Sequence, residues 1–429
     1  METNEKAIAP KEDKRLTKTE KSWVLYDVAN SAFIMVMTAT IPIYFRQLTE
    51  AAGISATHST TLWGTSTSIA ILILAFLSPL LGALADYEKM KKKIFSFFLG
   101  LAVVSAVAFI FAPNWITFLV FFIIARLGYS ACNIFYDAML VDVTSEERMD
   151  KVSTYGYAFG YIGSCIPFIA GILLILFAPI SHGATMADRV IEMQLSFLLT
   201  IFWWIGMSIP LLKNVKQNYF LAARPDFVSH SFKRLAATFV HLKEDKKLLY
   251  FIVGYFFYID GVYTIISMAT AYGSEVGIDS MSMILALLLT QFVAFPCAIL
   301  SGKLAAKFGT MNMIKVFIGM YTLICFYGYG LNTEFEFWVL AVSVGMCQGG
   351  IQALSRSQFG KLVPKEESTE YFGFFDIFGK FADFFGPLIL AACAFFFNSS
   401  KYGVLALVIL FIIGFILLNK SDKLYKASK

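Results

Sequence analysis

From Thr67 to Asp86 the chain reads Thr-Ser-Ile-Ala-Ile-Leu-Ile-Leu-Ala-Phe-Leu-Ser-Pro-Leu-Leu-Gly-Ala-Leu-Ala-Asp. No charged residue stands between Thr61 and Ala85, and apolar and polar residues do not alternate in twos. A helix crosses a bilayer in about 20 apolar residues, and a run of this length without alternation is a helix rather than a strand. The stretch is therefore a membrane span, and it recurs. Twelve runs of comparable character occupy residues 22–48, 61–86, 93–112, 115–141, 152–178, 191–212, 248–273, 280–306, 312–331, 335–361, 370–397 and 401–419. Composition agrees: of 429 residues 58% are hydrophobic and only 15% charged, against about 25% charged in soluble domains. A soluble domain and a disordered chain are both excluded, and the small net charge of +5 gives no reason to expect nucleic-acid binding.

Basic residues set the orientation. Twelve spans leave both termini on one face. On that face fall 29 of the 35 Lys and Arg; Arg46, Arg189 and Lys401 fall on the other, and Arg126, Arg356 and Lys380 lie inside spans. Such a bias marks the cytoplasmic side, so both termini are expected there, with the chain a multi-pass protein of the cell membrane. The organisation that follows is a tail (1–21), a six-helix half (22–212), a linker (213–247), a second half (248–419) and a tail (420–429). In the linker, Val228, Phe232, Leu235, Phe239 and Leu242 recur at helical steps. They predict an amphipathic helix lying on the membrane surface or across the helix ends.

The halves repeat. A shift of about 220 residues places Gly82-Ala-Leu84-Ala85-Asp86 on Gly302-Lys-Leu304-Ala305-Ala306, Glu146-Glu147 on Glu366-Glu367, and Pro167 on Pro387. Two parallel six-helix repeats are the plan of many secondary transporters, with substrate near the midplane between them.

The loop Gly82 to Asp86, followed by Lys91-Lys92-Lys93, resembles the gating loop between spans two and three of the major facilitator superfamily. Its second copy has Ala306 where the acid would stand. Narrower motifs resemble the vacuolar-effluxer-like branch of that superfamily, related to autophagy-linked amino-acid effluxers of fungal vacuoles. They are Trp23 to Phe33 with Tyr26-Asp27 and Asn30-Ser31, Tyr136-Asp137 to Thr144, Gly156 to Gly163, Gln348 to Ser357, and Phe374 to Lys380. The compact loops match a bacterial-type member. The resemblance implies a twelve-helix permease in two pseudo-symmetric halves, moving amino acids or similar small solutes, with Gly82 and Asp86 in the gate.

A charge at the bilayer centre costs at least ~2.5–3.5 kcal/mol and normally faces a cavity or a partner. The substrate-binding or coupling candidates are therefore Asp27 with Asn30 on the same helix face, Arg126, Tyr136 and Asp137, Tyr258 and Asp260, Gln348 and Gln352, Arg356, and Lys380. An arginine can grip a substrate carboxylate through two parallel hydrogen bonds. The alternative for the arginines is a structural ion pair, Arg126 with Asp260 or Arg356 with Asp137. Asp376 and Lys380, four apart, can neutralise one another.

No phosphate-binding loop is present, and the six cysteines lie in apolar runs without metal-ligand spacing. The expectation is a secondary transporter, not an enzyme, without cofactor or metal. Its expected partners are a small solute, the lipid bilayer and protons, and its expected state is a monomer. A permease for peptides, sugars or cell-wall fragments, or a non-transporting receptor or scaffold, is the alternative.

Overall fold

The computed structural model describes residues 15–178, 189–397 and 399–427; most of the N-terminal tail lies outside this range. The described residues hold twelve helices long and apolar enough to span a membrane. In chain order the helices are α1 (Lys18–Ala39), α2 (Ile41–Ala51), α3 (Ala56–Ala85), α4 (Met90–Ile110), α5 (Trp115–Ala138), the short α6 (Leu140–Val143), α7 (Met149–Phe177) and α8 (Val190–Asn214). They continue as α9 (Phe227–Glu244), α10 (Lys246–Val276), α11 (Ser280–Phe308), α12 (Thr310–Tyr329), α13 (Glu334–Leu362), α14 (Ser368–Phe397) and α15 (Lys401–Ala427). The first span is α1 plus α2, broken at Thr40 ahead of Pro42. A proline there removes a backbone donor and bends the path.

Local chemistry sets the helix starts. Thr17 caps α1 in a capping box with Glu20, and Thr333 with Glu336 does the same for α13. Each pairing satisfies two otherwise orphaned N–H groups. Along the spans the outward faces carry large apolar side chains, such as Phe76, Phe177, Phe202, Leu323 and Phe395. In water these faces would be a liability; towards lipid they are the required surface.

Two separate cores form. One buried cluster runs from Trp23 to Val215, through Phe95, Phe118, Phe135 and Trp204. The other draws almost wholly on residues from Leu242 to Leu418, including Tyr258, Phe317, Phe359 and Phe411. The halves meet through α3 against α14 and α7 against α11 and α13.

The start of α1 and the ends of α8 and α15 share one face, here called the terminus face. Asn214 Nδ2 donates to Ser22 Oγ at 2.9 Å, and Ser421 Oγ donates to the Lys247 carbonyl at 2.7 Å. The last helix continues past residue 419, because Asp422 is buried beneath Lys315 and Lys426 and holds the extra turns in place.

The linker helix α9 lies across the ends of α3 and α10, with Leu235 and Leu242 of its apolar stripe packed on the second-half core. Ser231, Arg234, Thr238 and Leu242 are buried, whereas Val228 and Phe232 are more than 45% exposed; the Phe239 side chain is outside the described residues. Acidic groups beneath the helix, Asp86, Glu367 and Glu370, receive Arg234.

Close approach of α3 and α14 depends on Gly82. A Cβ there would run into the Thr369 carbonyl and the Glu370 backbone, which cannot swing aside as a side chain would. Gly100 on α4 has nothing within 4 Å of its would-be Cβ. Replacing a helical glycine by alanine normally stabilises by ~0.5–1 kcal/mol, while overpacking costs about 1–3 kcal/mol. Gly100→Ala should therefore raise the melting temperature of the detergent-purified protein slightly, and Gly82→Ala should lower it. Equal shifts in the two variants would contradict the packing of α3 on α14.

Candidate functional site

Between the halves lies a cavity of 590 Å³. Its floor is Asp27, Asp137 and Arg356; it rises past Asn30 and Ile34 to Thr38, near the far end of α1. It therefore reaches away from the terminus face.

Arg356, on α13, is 3% exposed and reaches into the opposite half. Its Nη1 donates to Asp137 Oδ1 on α5 at 2.9 Å, and its Nη2 donates to Asp27 Oδ2 on α1 at 3.2 Å. Its Nε donates to Ser153 Oγ on α7 at 3.0 Å, and Nη2 also reaches the Ser153 carbonyl at 3.1 Å. Ser153 Oγ in turn donates to the Ala353 carbonyl, one turn before Arg356, at 2.7 Å. The guanidinium lies 4.4 Å from the Tyr157 ring centre, 4.7 Å from Trp23 and 5.4 Å from Tyr136. Trp23 stacks on Tyr136 and donates from Nε1 to the Tyr136 carbonyl at 2.8 Å. Gly156 makes room for this node, since a Cβ there would meet Asp27 Oδ2 and Arg356 Nη2. Two carboxylates, a serine and three aromatic faces offset the desolvation of one cation.

Of the residues expected to bind or couple substrate, Asp27, Asn30, Tyr136, Asp137, Gln348, Gln352, Arg356 and Lys380 all line this cavity. Arg356 pairs with Asp137, as in the ion-pair alternative, and with Asp27 as well. Lys380 pairs with Asp376 on its own helix, and Asp376 also accepts from Ser78 Oγ across the halves. Three candidates are not brought to the cavity wall. Asp260 Oδ1 accepts the Gly386 N–H at 2.8 Å, binding α10 to α14 inside one half. Tyr258 OH pairs with Ser355 Oγ at 2.7 Å behind Arg356. Arg126 is half-buried on α5 outside the lining.

The cavity also holds residues that the sequence did not single out. Asn133 stands one turn before Asp137, and that i,i+4 spacing in an apolar span was a usable signal; Tyr129, Ser267 and Gln291 carried none.

The terminus face is shut by polar contacts between the halves. Asp86 accepts N–H groups from Thr369 (2.8 Å) and Glu370 (3.1 Å) at the start of α14. Burial pushes the Asp86 carboxyl up to about 6, against the pull of Lys91 and Arg234. Arg234 of the linker, 9% exposed, bridges Asp86 of one half to Glu370 and Glu367 of the other. Lys91 binds Asp142 at 2.7 Å and Ser368 Oγ at 3.1 Å, while Asp142 accepts the backbone N–H groups of Asn218 and Tyr219 in the linker. In the pseudo-symmetric place Asp150 takes Lys361 at 2.7 Å and the Thr310 hydroxyl at 2.7 Å. The gate candidates Gly82 and Asp86 thus sit at this closure.

This arrangement, two six-helix halves around a polar cavity shut on one face, is that of a major facilitator transporter. Solved structures share the fold: the transporter FucP in an outward conformation superposes with a TM-score of 0.70 at 14% identity, covering 94% of this chain and 97% of that one. A bacterial homologue of the iron transporter ferroportin, in an outward-facing state, gives 0.64 at 13%, covering 95% and 98%. The model of the vacuole effluxer Atg22-like family matches residues 56–423, and the chain belongs to that family. It is 47% identical to the uncharacterized MFS-type transporter YxiO of Bacillus subtilis (strain 168), over 94% of this chain and 95% of that protein. Autophagy-related protein 22 of Saccharomyces cerevisiae (strain ATCC 204508 / S288c) is 23% identical over 64% of this chain and 58% of its own length.

Breaking a buried pair by removing one partner typically costs about 3–5 kcal/mol. Arg234→Ala should leave Asp86 and Glu370 facing each other without this cation and loosen the first turn of α14. Hydrogen exchange in a peptide spanning residues 366–373 should speed up at least tenfold. Unchanged exchange would mean that the linker arginine does not hold the closure.

Proposed function

We propose that the chain carries a small amine-bearing solute, amino acids first, by alternating access of the two halves, with both termini cytoplasmic and protons as the coupling ion. The observation that carries this reading is the cavity floor, where one arginine of the second half is shared by two carboxylates of the first. Among the charged residues lining the cavity, Asp27, Asp137 and Asp376 outnumber Arg356 and Lys380 by one. The surplus acid is a partner for the ammonium group of such a solute. Asn30 Oδ1, Asn133 Oδ1, Tyr136 OH, Tyr161 OH and Gln348 Nε2 are buried without hydrogen-bond partners among the described residues. All five belong to residues of the cavity lining. Buried polar atoms are normally satisfied, so these are the groups a polar solute would satisfy.

Protonation enters at the same place. Arg356 holds the terminus side through Asp27 and Asp137. Neutralising either acid weakens that hold, and a solute ammonium drawn to the same acids competes with the arginine for them. A ligand or proton shifts the equilibrium only by its differential affinity for the two states. The proton's preference for the open-gate state would come from releasing Arg356. Substrate ammonium and proton then act on one pair of carboxylates, which is how their movements become linked.

Reconstituted vesicles test this. Uptake of labelled amino acids under an imposed pH gradient should exceed that of sugars or peptides. Arg356→Ala and Arg356→Lys should each lower the rate by ~100-fold or more, corresponding to roughly 3 kcal/mol, because an ammonium cannot reproduce the forked contacts or the aromatic stacking. Asp27→Asn should retain solute binding in part but abolish the dependence on the gradient. Wild-type rates in the arginine variants, or uptake of sugars alone, would remove this reading.

A further inference from the structure

A second cavity, of 410 Å³, opens on the terminus face between the halves. Glu146 and Glu147 wall it from the first half, and Thr310, Gln358, Lys361 and Lys426 from the second. The helix α12 starts here, and Gly309 before it provides no side-chain cap. Backbone N–H groups in a first helical turn have no carbonyl within the helix to reach, and they carry the positive end of its dipole.

An independent observation points the same way. Gln358 is 2% exposed, and its Nε2 is buried with no acceptor among the described residues. The internal repeat supplies a comparison. Some 220 residues earlier, at the matching start of α4, Lys91 N donates to Gln217 Oε1 of the linker at 3.3 Å. An oxygen acceptor fills the place in the first half, and the second half has a cavity there.

Three acids, Glu146, Glu147 and Asp422, and two lysines, Lys361 and Lys426, line it, and the charges balance once the ion-pair partners behind them are counted. Glu146 pairs with Lys365, Asp150 with Lys361, and Asp422 with Lys315 and Lys426, while Glu147 stands on the rim. Four acids meet four lysines. What is left over is a set of donors: the open helix end and the Gln358 amide. Uncapped helix starts of this kind receive anions.

We propose that this cavity binds a small oxyanion, a phosphate or carboxylate group whose oxygens take the first-turn N–H groups of α12 and the Gln358 amide. Because both halves build its walls, the site is complete only while the terminus face is shut. Occupancy therefore holds the protein in that state. The phosphate can belong to a soluble metabolite or to an anionic phospholipid headgroup, since the site faces the terminus side of the membrane.

Calorimetric titration of the full-length protein in detergent tests the site, first with inorganic phosphate and then with dihexanoyl phosphatidylglycerol. Saturable binding of phosphate is expected. It should weaken at least tenfold in Gln358→Glu, which keeps the shape but replaces a donor with a negative acceptor. Asn312→Asp, which places a carboxylate at the cavity mouth on an exposed position, should weaken it similarly and decides the matter if Gln358→Glu does not fold. Gly100→Ala, on α4 and in neither cavity, should leave it unchanged, whereas Arg356→Ala, which releases the terminus face, should weaken it. Tenfold tighter binding of the lipid would assign the headgroup, and comparable binding the soluble anion; either supports the site. No saturable heat with either probe, or unaltered affinity in Asn312→Asp, would overturn it.

Discussion

A guanidinium inside a membrane protein must be neutralised where it stands, and Arg356 is neutralised by the other half of the molecule. Its carboxylate partners, Asp27 and Asp137, and its hydroxyl partner Ser153 sit on three helices of the first half, while the arginine rides on α13 of the second. The pairing is therefore a clasp between two bodies that otherwise have separate cores. In the structure the pairing is made, the terminus face is shut and the cavity opens the other way. Releasing it leaves the buried charges of Arg356 and Asp27 and the half-buried Asp137 to be satisfied by something else. Water, a proton or a substrate ammonium are the groups available for that.

The closure at the terminus face is built on the same principle but with the linker as a third partner. Asp86 receives two backbone N–H groups from the start of α14, and Arg234 drops from α9 between Asp86 and Glu370. The main chain of the linker also runs beside the turn after α3, with Leu221 donating to the Asp86 carbonyl and receiving from Glu88 N–H. The two halves are unequal here. The first-half loop carries its acid and the linker that covers it. The second half has Ala306 at the matching place and leaves the start of α12 open.

Much of this was legible in the sequence. Long uncharged runs announce spans because lipid tolerates nothing else, and the basic bias sorts the loops between faces. The i,i+4 pairing of Asp376 with Lys380 follows from helix geometry alone. Intramembrane charge pointed to Asp27, Asp137 and Arg356 for a sound reason: charges there are kept only at a cavity or beside a partner. The partners themselves were less legible. Asp27 and Arg356 are 329 residues apart, and spans that are apolar all round do not reveal which face meets which neighbour. Asp260 shows the same limit, since it accepts a backbone N–H of α14 and does not line the cavity. Apolar spacing on α9 also says nothing of Arg234, which the acids Asp86, Glu367 and Glu370 hold beneath that helix.

The central claim is that Arg356 keeps the terminus face shut. Spin labels at Lys93 and Lys307, both exposed and on opposite halves, report the width of that face by pulsed electron resonance. The account predicts a predominant short distance in the otherwise unaltered protein and a dominant longer one when Arg356→Ala is added. An identical distance distribution in the two proteins would contradict it.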